Sequence, residues 1–227
     1  MFRSQLNPVA RLAVAVGVVA AGLGAFGIGQ AQVPAADARA ARTFEIMITN
    51  LTGGQIFSPP IAATHGSGVS MWQVGQPATE ELRLIAEGGN TAPMAAMLKG
   101  TATDVQVAAD PILPGATATL KITAADADML SIAMMLARTN DGFTGVSHLP
   151  LTMMLADLEV PAYDAGTEDN TERASDVPAP PFGGMGHPAT MPAQPITLHP
   201  GLTGQGEVGP EYNWVGAVAR ITVRQVE

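Results

Sequence analysis

Two short stretches carry the residue types with which this chain could do chemistry. Tyr163-Asp164-Ala165-Gly166-Thr167-Glu168 and, about two dozen residues upstream, Thr139-Asn140-Asp141-Gly142-Phe143 each set carboxylates beside a glycine. Each also follows an apolar run that reads as a strand, which places both in loops at one end of a sheet. Carboxylates offered by two such loops suit a hard cation such as calcium, which takes roughly six to eight oxygens from carboxylates, carbonyls and water. Without a cation, converging charges repel one another and raise a pKa. Two other readings use the same residues. Asp141 and Asp164 can each cap a turn, leaving Glu168 in solvent. Alternatively, Asp141 and Asp164 form the carboxylate pair of a secreted hydrolase. Glycosidase clefts are rich in aromatic rings, and only 4% of this chain is aromatic.

Other chemistries find less support. There is no cysteine, so disulfides, thiolate metal sites and a cysteine nucleophile are excluded. The histidines are His65, His148, His187 and His199, and none stands at HExxH spacing. His65 and His148 have no nucleophile motif beside them and read as satisfied surface or loop histidines. His187 and His199 fall in a Pro/Gly-rich stretch and could take an adventitious metal. Asn140, Asp169 and the Asp126/Asp128 pair are secondary oxygen donors. No Gly-rich phosphate loop, GxSxG elbow or internal repeat is present. With 20 acidic against 11 basic residues and a formal net charge of -9, the chain is a poor partner for nucleic acid.

Strands account for most of the elements that must position these loops. Residues 43–51 alternate, with Phe44, Ile46 and Ile48 on one face. The Pro59-Pro60 pair makes 56–65 an edge or irregular extended segment, and Trp72 reads as half buried. Gln76 to Gly89 is a helix, with acids in its first turn and glycines after its last. A shorter helix spans 92–98 with Thr91 as its cap. Strands return at 104–108, 116–123, 129–137 and 149–155, and a final one within 212–226 alternates Arg220, Thr222 and Arg224 against Ala219, Ile221 and Val223. The Met-rich run at 129–137 reads as core. Residues 169–210 form a Pro/Gly-rich excursion, too long for an ordinary connection. The pattern is an all-β antiparallel sandwich carrying one or two short helical insertions.

Residues 1–31 have the parts of an export signal: Arg3 and Arg11, an apolar run over 12–28, and a small-residue exit at Gly29-Gln30-Ala31. Residues 32–42 then read as a short linker and 43–227 as one domain. Once the signal is cleaved, no stable membrane insertion is expected, and the product is secreted, either periplasmic or extracellular.

Several strings together resemble the spondin N-terminal domain as it occurs in secreted bacterial proteins, related to F-spondin and mindin. They are Phe44 to Thr52, Phe57-Ser58-Pro59-Pro60, Ala63-Thr64-His65, Thr139 to Phe143 and, above all, Tyr163 to Glu168. The resemblance implies an eight-stranded antiparallel β-sandwich of C2-like shape whose loops hold calcium. Residue by residue, it assigns Asp164 and Glu168 to the acidic pair of the Asp-Ala-Gly-Thr-acid string and Asp141 to the acid of the earlier loop. Position 168 is Glu where the animal proteins have Asp, and the animal cysteines are missing here. The implied function is a non-enzymatic adhesion or interaction module, whose partner is an extracellular or cell-surface protein or a glycan.

Overall fold

Strand boundaries follow where apolar side chains find cover. In chain order the strands are β1 (Arg42–Asn50), β2 (Ile61–His65), β3 (Ala102–Val107), β4 (Thr117–Ala124), β5 (Met129–Met135), β6 (Gly142–Pro150), β7 (Leu155–Val160), β8 (Ala162–Asp164), β9 (Thr197–Leu198) and β10 (Ala219–Gln225). Two helices, α1 (Glu80–Gly88) and α2 (Ala92–Leu98), lie between β2 and β3. The structure is a computed structural model that describes residues 41–151, 155–185 and 193–226. The expected export signal, most of the linker and His187 lie outside these residues.

The strands form two antiparallel sheets. A four-stranded sheet has the order β4-β1-β10-β7, and a six-stranded sheet has the order β3-β2-β5-β6-β8-β9. Eight of the strands have five or more residues, while β8 and β9 are short. The all-β sandwich with helical insertions is thus the observed fold. In the four-stranded sheet, Phe44, Ile46, Ile48, Leu120, Ile122, Ile221 and Val223 point inward, and they meet Ala62, Leu130, Ile132, Met134 and Val146 of the other sheet. A second apolar layer covers the outer face of the six-stranded sheet. There Leu82 and Ile85 of α1 and Met94 and Leu98 of α2 pack with Ile61, Ala63, Ala133 and Phe143. Strands β2 and β5 are therefore covered on both faces, which explains why they are buried along nearly their whole length.

The structure corrects several local expectations. Pro59 and Pro60 precede β2, so the strand itself is free to take an interior place between β3 and β5. Trp72 is buried rather than half buried, its indole N–H donating to the Ile132 carbonyl at 3.1 Å. The cap of α1 is Thr79, whose hydroxyl accepts from the Leu82 N–H. Thr91 makes no capping bond, and Asn90 Oδ1 accepts the Ala92 N–H in its place. Of the strand expected at 149–155, residues 152–154 lie outside the described residues and Leu155 opens β7, while the strand before it, β6, runs over Gly142–Pro150. Gly142, Gly145 and His148 interrupt its apolar pattern, and a strand covered on both faces has no need to alternate.

Gly145 is required where it stands. Its φ is +150°, and a Cβ there would lie 1.9 Å from the Ile132 carbonyl oxygen on β5. The atoms it would meet, from Ile132 and Ala133, are backbone and cannot turn aside. Gly145→Ala should therefore cost about 2–3 kcal/mol, read as a lower urea midpoint with unchanged slope. An unchanged midpoint would contradict this packing.

Candidate functional site

Register brings the two acidic stretches together. Strand β6 begins at Gly142 directly opposite Asp164 at the end of β8, and Phe143 faces Tyr163. The loop entering β6 is closed by Thr139, whose hydroxyl donates to the Leu136 carbonyl at 2.7 Å and accepts the Gly142 N–H at 2.9 Å. A Cβ on Gly142 would lie 2.5 Å from that hydroxyl, so the turn needs glycine. Asp141 is thereby carried into the interior at 0% exposure.

The Asp141 carboxylate joins the loops. Its Oδ2 accepts from the Thr167 N–H at 2.7 Å, the Glu168 N–H at 3.0 Å and the Thr167 hydroxyl at 3.2 Å. Its Oδ1 is buried and has no hydrogen-bond partner. Asp164 shapes its own turn: Oδ1 accepts the Gly166 N–H at 2.8 Å and Oδ2 accepts from Asn170 at 2.6 Å. Glu168 is buried at 9% exposure, which overturns the reading that leaves it in solvent. Both aspartates do cap turns, but Asp141 caps the turn of the other loop.

The site's electrostatics follow from this burial. Burial, reinforced by the neighbouring Asp164 charge, pushes the Asp141 pKa up to about 6, against the opposing pull of the Glu168 and Thr167 hydrogen bonds. Its burial also keeps it out of a substrate's reach, which leaves the hydrolase reading without an accessible acid at this position. Among the described residues, no group of three or more His, Asp or Glu side chains converges closely enough to hold a metal ion as it stands. What the site does present is an unpartnered buried carboxylate oxygen beside a second carboxylate, an arrangement that favours a cation.

Two more residues at this pole shape it: Glu172, which the sequence did not mark, and His199, which it offered only to an adventitious metal. His199 follows β9, is buried, and packs edge-on against Trp214 with ring centroids 5.1 Å apart. Its Nδ1 accepts the Gly201 N–H at 3.0 Å, so the neutral ring carries its proton on Nε2. Burial lowers its pKa, outweighing the upward pull of Asp164 and Glu172. That tautomer leaves no lone pair on Nε2 for a metal. Glu172, at φ +52°, organises the described part of the Pro/Gly-rich stretch. Its carboxylate accepts from the Thr203 N–H, the Thr203 hydroxyl at 2.9 Å, the Gly204 N–H at 3.0 Å and the Gly206 N–H at 3.4 Å. Burial raises the Glu172 pKa, but these hydrogen bonds win and the net shift is downward. Around it Val177, Leu202 and Val208 form a small apolar cluster of their own. No sequence signal marked Glu172, because its role depends on backbone N–H groups supplied by a glycine-rich turn some thirty residues away.

A family model described as Spondin_N matches residues 49–185, a span that contains both carboxylate loops and ends before His199. No curated protein matches the chain.

Two measurements check this geometry. A carboxylate whose folded pKa lies above its unfolded value opposes folding at neutral pH, and the penalty fades as the pH falls through the folded value. In chelator, wild type should therefore gain on Asp141→Asn by about 1 kcal/mol between about pH 7 and pH 5 in urea unfolding. His199 works in the opposite direction and is common to both proteins, so the difference isolates Asp141. A pH-independent difference would contradict the buried charge. Separately, Glu172→Gln should cost about 1–3 kcal/mol at neutral pH, with faster hydrogen exchange at Thr203, Gly204 and Gly206.

Proposed function

From its membership of the Spondin_N family, which the match over more than half of the chain establishes, we propose that this chain is an extracellular interaction module whose carboxylate loops hold a calcium ion. Domains of this family are extracellular and generally non-enzymatic. The observation that carries the calcium reading is the buried Oδ1 of Asp141, which has no hydrogen-bond partner and lies beside a second carboxylate. Burying an unpaired anionic oxygen is costly, and a divalent cation removes that cost.

Asp141, Asp164 and Glu168 would hold the ion, with backbone carbonyls and water completing its shell. When bound, the ion neutralises the repulsion between the loops and fixes their positions. Oδ2 of Asp141 would keep its N–H donors while Oδ1 turns to the metal, so one side chain serves both structure and binding. The partner in this reading is an extracellular or cell-surface protein or a glycan, met by the loops at this pole. Residues 1–31 serve as a cleaved export signal. Among the described residues no helix is long and apolar enough to cross a membrane.

The test is thermal unfolding of the exported protein in excess calcium and in chelator, for wild type and Asp164→Asn. Saturating calcium should raise the wild-type Tm by about 5–10 °C. The variant should lose most of that rise. A wild type that neither shifts nor carries calcium on metal analysis would sink the proposal.

A further inference from the structure

On the outer face of the six-stranded sheet, β6 carries a bulge. Leu130 pairs with Leu149 and Ile132 with Val146, so Ser147 and His148 together oppose the single residue Ser131. His148 takes a left-handed conformation at φ +56°, a strained state for a residue with a side chain. A buried relay supports it. The His65 Nδ1–H donates to the Gly66 carbonyl at 3.0 Å, which leaves Nε2 to accept the Ser131 hydroxyl at 2.8 Å. Ser131 Oγ in turn accepts the His148 backbone N–H at 3.1 Å. His65 and Ser131 are both fully buried, so this dyad holds the bulge and is closed to any substrate.

The bulge borders a cleft of about 420 Å³ lined by Trp72, Gln73, Val74, Ser147, His148 and Tyr163. The polarity of its histidine is fixed by hydrogen bonding. The Trp72 carbonyl can only accept, so the Ser147 hydroxyl donates to it at 2.5 Å. Ser147 Oγ must then accept the His148 Nδ1–H at 2.8 Å, and the neutral ring keeps an acceptor lone pair on Nε2. The Tyr163 ring packs against Trp72 and Phe143, with centroids 4.9 and 5.6 Å away, and forms the aromatic wall. Among the described residues, no Asp, Glu, Lys or Arg lines the cleft. Two further clefts, of about 400 and 360 Å³, have no histidine or tyrosine among their lining residues.

We propose that this cleft binds a neutral, hydroxyl-rich ring, a sugar unit, with His148 Nε2 accepting from a ligand hydroxyl and Tyr163 and Gln73 supplying the other polar contacts. The described lining, without Asp, Glu, Lys or Arg, suits a neutral ligand better than one recognised by ion pairing. An oriented acceptor, a phenol and an amide around an aromatic wall match the alternating hydroxyls and flat C–H face of a pyranose. A strained bulge held by a buried relay re-aims the side chains that such a ligand would need. This site uses none of the carboxylate-loop ligands, so it stands or falls separately from the calcium reading.

The test is an NMR titration of the exported protein with the methyl glycosides of glucose, galactose, mannose and N-acetylglucosamine, followed by a printed glycan array. At least one glycoside should shift the His148 and Tyr163 ring signals saturably, with Kd of about 1 mM. Tyr163→Phe, which keeps the ring, and His148→Gly, which relieves the left-handed strain, should each weaken binding about tenfold or more without lowering Tm. Array binding would assign the ligand to a glycan terminus, and binding of free glycoside alone to a small sugar. The absence of saturable shifts with all four glycosides, or equal affinity in Tyr163→Phe and His148→Gly, would overturn the proposal.

Discussion

The pole of this molecule depends on one carboxylate. Asp141 is fully buried and holds the turn at Thr167 and Glu168 through their backbone N–H groups, so the loop that ends β8 is shaped by a side chain from the loop that begins β6. Removing either partner leaves the other unsatisfied in a low-dielectric interior, which is why such contacts are costly to break. The same carboxylate is held above its ordinary pKa by burial and by Asp164. Its two oxygens have different circumstances: one is saturated by donors, and the other has none. A cation at the second would resolve the charge without disturbing the first.

The sandwich makes this arrangement possible by fixing register. β6 is interior to the six-stranded sheet, paired with β5 on one side and β8 on the other, and its outer face is covered by the layer that includes α1. A one-residue slip would turn Phe143 from the apolar layer to the opposite face, so the hydrophobic pattern that locks β6 also locks Asp141 at its start. Glu172 performs a related task further along the chain. Its carboxylate gathers N–H groups from Thr203, Gly204 and Gly206, and its own N–H reaches Asn140 Oδ1 at 3.4 Å. The Pro/Gly-rich stretch is therefore tied to the same loop that carries Asp141.

Much of the scaffold was legible because it rests on period. Phe44, Ile46 and Ile48 alternate with the less buried Glu45, Met47 and Thr49 and do face the core, as do Ile221 and Val223 at the other end of the chain. Glu80, Glu81 and the glycines after the last turn marked α1. Most of β6 was missed because its glycines and His148 serve backbone needs that periodicity does not encode, namely a close approach to Ile132 and a left-handed bulge. At the site, carboxylates beside glycines located both loops. Which N–H groups each carboxylate receives could not be read, since that depends on chain segments brought together only by pairing. Glu172 was invisible for the same reason, His199 was marked only for an adventitious metal, and His65, which reads as a surface or loop histidine, is a fully buried strand residue.

The most direct measurement is an anomalous difference map from crystals of the exported protein grown in calcium. The account predicts a peak beside Asp141 Oδ1 at calcium–oxygen distances of about 2.3–2.6 Å, with Asp164 and Glu168 in the same shell. A map with no peak at that oxygen, or with calcium bound only elsewhere on the molecule, would contradict it.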